Sequence, residues 1–190
     1  MSIPKANKKH TYADYLTWPG EERWEIIDGT PLLQSPPTWQ HQAIARELLL
    51  EFGGYLRGKP CHIFGAPFDL RLPLAAEADE DATYVFQPDL TVICDKTGLK
   101  GTGYFGVPEL VIEVSSISTG KFDKVSKFNA YEKAGVREYW IVEPEQKVVS
   151  VFKLQDGRYG RPETYTEEDT IGVGIFPDLA IELKRVFADL

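Results

Sequence analysis

The chain has 190 residues, of which 43% are hydrophobic and 12% are aromatic, and its formal net charge is −8. A chain of this length can bury roughly 70% of the surface that it exposes when unfolded, so we expect one globular domain over residues 1–190. The acidic balance argues against a protein that binds nucleic acid through a broad basic surface. Any contact with nucleic acid must then depend on a local basic patch, or on divalent ions that neutralise acidic side chains.

The sequence also suggests where the protein acts. The first 16 residues are basic but contain no apolar core, so they are not expected to form a secretory signal. No apolar stretch approaches the ~18 residues of a membrane span, and we expect no membrane association. Cys61 and Cys94 stand alone in strand-like runs, without C-x-x-C spacing. We therefore expect buried free thiols in a reducing compartment and a cytoplasmic location.

The first half of the chain alternates strand and helix signals. Thr11 can cap a short helix over residues 11–16, and Asp28-Gly29 predicts the turn of a hairpin. Thr38 can cap a longer helix that ends near Leu56 and carries an apolar stripe. Residues 61–73 predict two short strands with a bend at 65–67. The acidic segment 75–84 lacks the D-x-D-x-D-G order of a calcium loop, which favours a solvated surface loop.

Two short apolar runs in the centre of the chain each carry one carboxylate. Asp89 begins the run PDLTVI, and Glu113 lies inside PELVIEVSS. Apolar runs of this length between proline and glycine or serine residues predict buried strands. A carboxylate inside such a strand needs a metal ion or another cation as its partner.

The next segment supplies a cation. At about 100° per residue, a helix over residues 123–134 places Lys127 in the middle of the apolar face, beside Ala130 and Tyr131. Gly135 is typical of a helix C-cap, and residues 138–142 predict the next strand. Glu113 or Asp89 is the partner that the chain order suggests for Lys127. With closing strands or a short helix over residues 171–187, the pattern indicates a mixed α/β fold in one domain.

Two buried acids and a lysine suit metal-assisted hydrolysis of phosphodiester bonds. Carboxylates bind Mg²⁺, and a lysine can orient water or offset charge on a phosphate. Two simpler explanations stay open at this point: Asp89 could cap its strand, and Glu113 with Lys127 could form a structural ion pair without metal. The histidines at positions 10, 41 and 62 are too far apart in sequence to predict a zinc site.

Several motifs resemble those of the Uma-two family of restriction-endonuclease-like proteins, which belongs to the PD-(D/E)XK nuclease fold. The resemblance covers nearly the whole chain and rests on PDLTVI, PELVIEVSSIST, the D-x-x-x-K-x-x-x-Y pattern from Asp123 to Tyr131, GVREYWIVEP, and TYADYLTWPGEERWEIIDG near the N-terminus. It implies a restriction-endonuclease-like central mixed β-sheet flanked by helices. The E-x-K motif of the wider fold lacks its lysine here, because Glu113 is followed by Val114 and Ser115.

The resemblance also implies roles for individual residues. Asp89 and Glu113 match the metal-binding acids, Val114 would lend a backbone carbonyl, and Lys127 would be the displaced lysine. Glu25 matches an acid of the family's N-terminal strand that can reach the metal. Asp123 is interpreted as a helix cap and Tyr131 as a packing residue.

The implied function is a Mg²⁺-dependent DNA endonuclease, with Mn²⁺ as a substitute metal. A homodimer is expected, because two sites related by a two-fold axis can cut both strands of a duplex. The alternative is a non-catalytic binding or assembly protein that retains the nuclease fold, which the acidic net charge favours.

Overall fold

A computed structural model of the protein describes residues 8–20, 22–74, 77–115 and 121–190, with the side chains of residues 121–124 outside this description. Within these residues the α-helices are α1 (Tyr12–Tyr15), α2 (Trp39–Leu56), α3 (Lys121–Ala134) and α4 (Leu183–Val186). The strands are β1 (Trp24–Ile27), β2 (Thr30–Leu33), β3 (His62–Gly65), β4 (Asp69–Arg71), β5 (Val85–Phe86), β6 (Leu90–Ile93), β7 (Leu99–Lys100), β8 (Gly103–Phe105), β9 (Leu110–Val114), β10 (Glu138–Glu143), β11 (Val148–Gln155), β12 (Arg158–Tyr159), β13 (Glu163–Thr166), β14 (Thr170–Gly172) and β15 (Ala180–Glu182).

The N-terminal segment forms one edge of a first sheet, whose strand order is β2-β1-β5-β4-β8-β7. Thr11 is the N-cap of α1, as predicted, and its backbone N–H donates to the Asp14 carboxylate at 3.2 Å. β1 and β2 form the predicted hairpin. At its turn Asp28 and Gly29 have φ values of 47° and 75°, as a two-residue type I′ turn requires. β1 thereby carries Glu25 into the buried face of the sheet, where it is 1% exposed.

The central unit is a strand, a helix and a second strand. β9 and β10 lie parallel, with Glu113 opposite Ile141, and α3 connects them. On its other side β9 pairs antiparallel with β6, where Leu90 faces Ile112. The second sheet has the order β12-β11-β10-β9-β6-β3, with β13 beside β11. The mixed α/β class is confirmed, although the strands are divided between two large sheets and a small β14–β15 hairpin.

Helix α2 packs its apolar stripe on the second sheet. Thr38 caps the helix as predicted, because its hydroxyl accepts a hydrogen bond from the His41 N–H at 3.3 Å. Ile44, Leu48 and Phe52 are fully buried, which stabilises the fold by roughly 1.5–3 kcal/mol for each side chain. His41 lies one turn before Ile44, on the same buried stripe.

Helix α3 packs against both large sheets, and on the second sheet the Tyr131 ring lies 5.1 Å from that of Tyr139 on β10. Tyr131 is fully buried, and its ring lies 5.2 Å from that of Phe86 on β5. Gly135 has a φ of 92° and its N–H donates to the Tyr131 carbonyl, which is the predicted glycine C-cap. Lys127 lies on this inward face and is only 7% exposed. The capping role predicted for the Asp123 side chain lies outside the described residues.

The cysteine prediction is wrong. Cys61 and Cys94 form a disulfide. Antiparallel pairing of β3 with β6 sets His62 opposite Ile93, so Cys61 and Cys94, the next residues along these two segments, face each other. This contact joins segments 33 residues apart and could not be deduced from their sequence context. The disulfide also removes the observation from which a reducing compartment was inferred.

The acidic segment is more structured than predicted. Residues Asp79–Asp81 form a 3₁₀ turn, and the Asp79 carboxylate pairs with the guanidinium of Arg71, which is 1% exposed. Ala82 is fully buried. The prediction of a solvated loop is therefore wrong for this part, because a buried arginine needs a carboxylate partner. Residues 75–76 lie outside the described residues.

The C-terminal segment closes the structure as expected. β14 and β15 pair with Ile171 opposite Ile181, and α4 packs on α2. None of the helices in the described part of the chain combines the length and the apolar character that a membrane span needs.

Candidate active site

Four of the five predicted site residues line one narrow pocket. Asp89, Glu113, Val114 and Lys127 are on its wall, together with His41 and residues from the β2–α2 connection and from the start of β1. Glu25 lies behind Lys127 rather than on the wall. Elements from both sheets and from helices α2 and α3 therefore contribute to one site.

Asp89 and Glu113 are neighbours across two strands. Because Leu90 faces Ile112, the preceding residue Asp89 comes opposite Glu113. Both side chains are largely buried, with exposed fractions of 10% and 15%. The pairing of β6 with β9 thus brings together two carboxylates that are 24 positions apart in the sequence.

Pro88 ends the hydrogen-bonded ladder beside these acids. If the ladder continued past Leu90 and Ile112, Val114 would pair with Pro88, which has no N–H. The Val114 N–H instead donates to Oδ2 of Asp89 at 2.7 Å. The Val114 carbonyl receives no ladder hydrogen bond from position 88, so that position does not occupy this backbone oxygen next to the two carboxylates.

Lys127 is held by two acids. Its Nζ donates to Oε1 of Glu25 at 2.9 Å and to Oε1 of Glu113 at 3.2 Å. Glu113 is thus one of the two partners suggested by the chain order, whereas Glu25 takes the place of Asp89 as the second. The hydroxyl of Tyr131 also donates to Oε1 of Glu113, at 2.8 Å. Tyr131 therefore contributes a hydrogen bond to the site in addition to the predicted packing.

Both oxygens of Glu25 accept hydrogen bonds. Oε1 accepts from the backbone N–H of Gln87 at 2.8 Å as well as from Lys127, and Oε2 accepts from the Gln34 side chain at 3.0 Å. The carboxylate is 1% exposed. This arrangement suits an acid that holds Lys127 in place.

The site carries an excess of buried negative charge. The pKa of Glu113 is raised to about 8, chiefly by burial and in addition by the neighbouring Asp89 and Glu25, although Lys127 and the Tyr131 hydroxyl act to lower it. Burial and the Glu113 carboxylate also raise the pKa of Tyr131 well above its ordinary value, so this hydroxyl remains a donor. A bound cation would relieve the repulsion between the carboxylates.

His41 is a site residue that the sequence analysis missed. Its Nε2 lies 3.0 Å from Oδ2 of Asp89, and its side chain is 10% exposed. The other ring nitrogen, Nδ1, is buried without a hydrogen-bond partner in the described part of the chain. Geometry therefore assigns the Nε2–H as a donor to Asp89. The available signal was a histidine on the apolar stripe of α2, three residues before Ile44.

Arg23 and Gln87 are two further residues of the pocket wall that were missed. Nε of Arg23 donates to Oε1 of Gln87 at 3.0 Å. The Gln87 amide in turn donates to the Tyr15 hydroxyl at 2.9 Å and to Oδ1 of Asp69 at 3.0 Å. Arg23 directly precedes β1, and because side chains alternate along extended backbone, it extends from the side that carries Glu25. That alternation was the signal available in the sequence.

The pocket offers several oxygen atoms that could bind a divalent metal. Oδ1 of Asp89 and Oε2 of Glu113 accept no hydrogen bond from the described residues, whereas their other oxygens do. Across the described ranges, no cluster of three or more His, Cys, Asp or Glu side chains could hold a metal. Two carboxylates and one carbonyl nevertheless fit Mg²⁺, which is commonly bound by one or two carboxylates and keeps several waters.

Comparison with known proteins gives the family. A sequence model described as "Uma2: Putative restriction endonuclease" matches residues 12–184. The chain belongs to the Uma2 family. This membership agrees with the resemblance found in the sequence motifs, and the family is described as one of putative restriction endonucleases.

Individual relatives of this Uma2 protein are more distant. An "Uncharacterized protein slr1290" of Synechocystis sp. (strain ATCC 27184 / PCC 6803 / Kazusa) is 27% identical over 146 residues, which is 75% of this chain and 73% of the relative. A crystal structure of "a putative nuclease belonging to DUF820" from Anabaena variabilis ATCC 29413 has a TM-score of 0.75. It shares 18% identity and covers 94% of this chain and 97% of its own, which shows that the two proteins share a fold.

Proposed function

We propose that this Uma2 protein is a Mg²⁺-dependent endonuclease that hydrolyses phosphodiester bonds in DNA. The observation that carries the proposal is the placement of Asp89 and Glu113 side by side in one pocket with Lys127. Acids on neighbouring strands with a lysine beside them match the chemistry expected of the family.

Asp89, Glu113 and the Val114 carbonyl would hold the metal. When bound there, Mg²⁺ would polarise a phosphoryl oxygen and lower the pKa of a coordinated water. The His41 Nε2–H and the Val114 N–H both contact Oδ2 of Asp89. These two donors fix the orientation of the carboxylate and leave Oδ1 for the metal.

Lys127 would orient the attacking water or offset the charge that develops on the phosphate. Its ammonium is anchored by Glu25 on one side and touches Glu113 on the other. We assign to Glu25 the role of holding Lys127. The family resemblance implied a metal-ligand role for Glu25, but both of its carboxylate oxygens already accept hydrogen bonds.

A non-catalytic binding protein remains the alternative. It is favoured by the ion pair between Lys127 and Glu113, which compensates part of the buried charge without a metal. In that case the site would stabilise the fold, and divalent metal would have no effect on phosphodiester bonds.

The test is a plasmid-cleavage assay with Mg²⁺ or Mn²⁺, and with EDTA as the metal-free control. Wild-type protein should nick or linearise the plasmid only with metal, and Asp89→Asn and Glu113→Gln should both be inactive. Asp156→Asn is a matched control, because Asp156 lies at an exposed turn with a φ of 50° that asparagine also accepts. A folded wild-type protein that leaves DNA intact with either metal would favour the non-catalytic alternative.

Two further expectations remain predictions. A homodimer should give twice the monomer mass in light scattering at micromolar concentration, and a monomer mass would count against it. The cytoplasmic location needs a test of its own, such as cell fractionation, because the cysteines no longer support it.

A further inference from the structure

Arg23 differs from the other cation of the pocket wall in having no carboxylate partner among the described residues. Lys127 donates to Glu25 and Glu113, so its charge is compensated. Arg23 donates through Nε to the neutral amide of Gln87. In the described part of the chain, its two terminal nitrogens donate no hydrogen bond. The pocket therefore contains one uncompensated guanidinium, in a protein of net charge −8.

The amide that holds Arg23 is itself fixed. Gln87 is 8% exposed, and its Nε2 is directed at Asp69 and at the Tyr15 hydroxyl. Asp69 is also buried and accepts a hydrogen bond from the Thr102 hydroxyl at 2.6 Å. Because Nε2 must face these acceptors, Oε1 must face Arg23. A buried network thus sets the orientation of the guanidinium.

This arrangement fixes a cation without cancelling its charge. A guanidinium bound through Nε keeps its outer edge, formed by the two terminal nitrogens, for another partner. That edge matches two oxygens of a phosphate, and such paired hydrogen bonds are among the stronger contacts in proteins. A carboxylate in place of Gln87 would have neutralised the arginine.

We infer that Arg23 binds a phosphate group of the nucleic-acid backbone in this pocket, and that Gln87 is its positioning residue. The inference rests on the proposed function, because a phosphodiester held at Asp89 and Glu113 would bring its phosphate to the same wall. It adds a substrate contact from the residue that precedes β1 to Asp89, which precedes β6, and to Glu113 on β9. The acidic protein would thereby gain the local basic contact that its composition requires.

The test measures binding separately from cleavage. A short fluorescein-labelled DNA duplex is titrated with the protein at a series of salt concentrations. Ca²⁺ replaces Mg²⁺ in the buffer, and the DNA is checked to be intact, so that binding is measured without cleavage. Arg23→Gln should bind about 10- to 100-fold more weakly, as expected for the loss of a charged hydrogen bond. The slope of log K against log salt should fall by about 0.9, the value for one phosphate contact.

Matched variants separate charge from geometry. Arg161→Gln removes an exposed arginine outside the pocket and should leave the affinity unchanged. Arg23→Lys keeps the positive charge, so it should keep the wild-type salt slope while losing part of the affinity. If Arg23→Gln fails to fold, Arg23→Lys serves as the test of the phosphate contact in its place. Gln87→Leu removes the side-chain amide but keeps the backbone N–H that donates to Glu25. This change should weaken DNA binding when Arg23 is present, and it should not weaken DNA binding further in the Arg23→Gln variant.

The possible outcomes are distinct. Arg23→Gln binding with wild-type affinity and slope would overturn the inference, as would wild-type protein that does not bind the duplex. If wild-type protein binds but does not cleave with Mg²⁺ or Mn²⁺, the proposed function fails, and a weaker Arg23→Gln complex still supports the phosphate contact.

Discussion

The ammonium of Lys127 lies 2.9 Å from Oε1 of Glu25, which joins helix α3 to strand β1 through a buried ion pair. The exposed fractions of the two side chains are 8% and 1%. Removing one partner of such a pair leaves an uncompensated charge and typically costs ~3–5 kcal/mol. Lys127 therefore stabilises the fold as well as serving the proposed chemistry, and the two roles need separate measurements.

Changing Glu25 tests whether this acid holds Lys127 or a metal. Glu25→Gln keeps the size of the side chain but removes its charge, so we expect the free energy of unfolding to fall by up to ~3–5 kcal/mol in urea titrations. Mg²⁺ affinity measured by calorimetry should stay close to wild type. Glu22→Gln, at an exposed position nearby, is the control. Loss of metal binding with unchanged stability would instead support the metal-ligand role implied by the family resemblance.

Removing the lysine itself should slow cleavage strongly and leave metal binding intact. We expect Lys127→Ala to cleave about 10²–10⁴-fold more slowly, because a water-orienting or charge-offsetting group is lost. Metal binding should survive, since Asp89 and Glu113 remain. Cleavage is assayed below the melting temperature of the variant, with Lys133→Ala on the exposed side of the same helix as control. Full cleavage by Lys127→Ala would remove Lys127 from the mechanism.

His41 should matter for metal affinity through Asp89. The variant His41→Ala leaves Oδ2 of Asp89 with only the Val114 N–H as its donor. Loss of such a supporting hydrogen bond typically weakens metal binding about 10- to 100-fold. His62→Ala removes an exposed histidine on β3 and should leave the affinity unchanged. Equal metal affinity of the two variants would show that His41 does not hold Asp89 for the metal.

The raised pKa of Glu113 predicts a pH dependence of stability in the metal-free protein. This pKa is raised, chiefly by burial, from its ordinary value of 4.5 to about 8, so between these pH values the folded state holds a proton that the unfolded state has lost. Stability is therefore lost as pH rises through this window. In EDTA, the melting temperature of wild-type protein relative to Glu113→Gln should fall from pH 5 to pH 8. A constant difference across that range would contradict the assignment.

The sequence predicted the elements better than the contacts between them. The hairpin turn at Asp28-Gly29, the cap at Thr38 and the C-cap at Gly135 all depend on neighbouring residues, and all were predicted correctly. The disulfide between Cys61 and Cys94 depends on the pairing of β3 with β6. That register is set by packing across the sheet, which no local pattern contains.

The candidate site shows the same division. Glu113 and Lys127 were found because each places a charge where the pattern requires an apolar residue, and Asp89 was found because it begins the neighbouring apolar run. Glu25 was identified through the family resemblance alone, and its contact with Lys127 spans 102 positions. His41 was dismissed for lack of a zinc motif, although its place on the buried stripe of α2 was visible. Gln87 acts partly through its backbone N–H, for which the sequence carries no signal.

The most direct test of the account is anomalous diffraction from a crystal soaked in Mn²⁺. We expect a peak in the pocket, within about 2.0–2.6 Å of one oxygen from Asp89 and one from Glu113. The Val114 carbonyl should lie on the same side of the peak, and Glu25 should remain on Lys127. A well-diffracting soaked crystal with no metal between Asp89 and Glu113, or with metal bound only at other acids, would contradict the central claim.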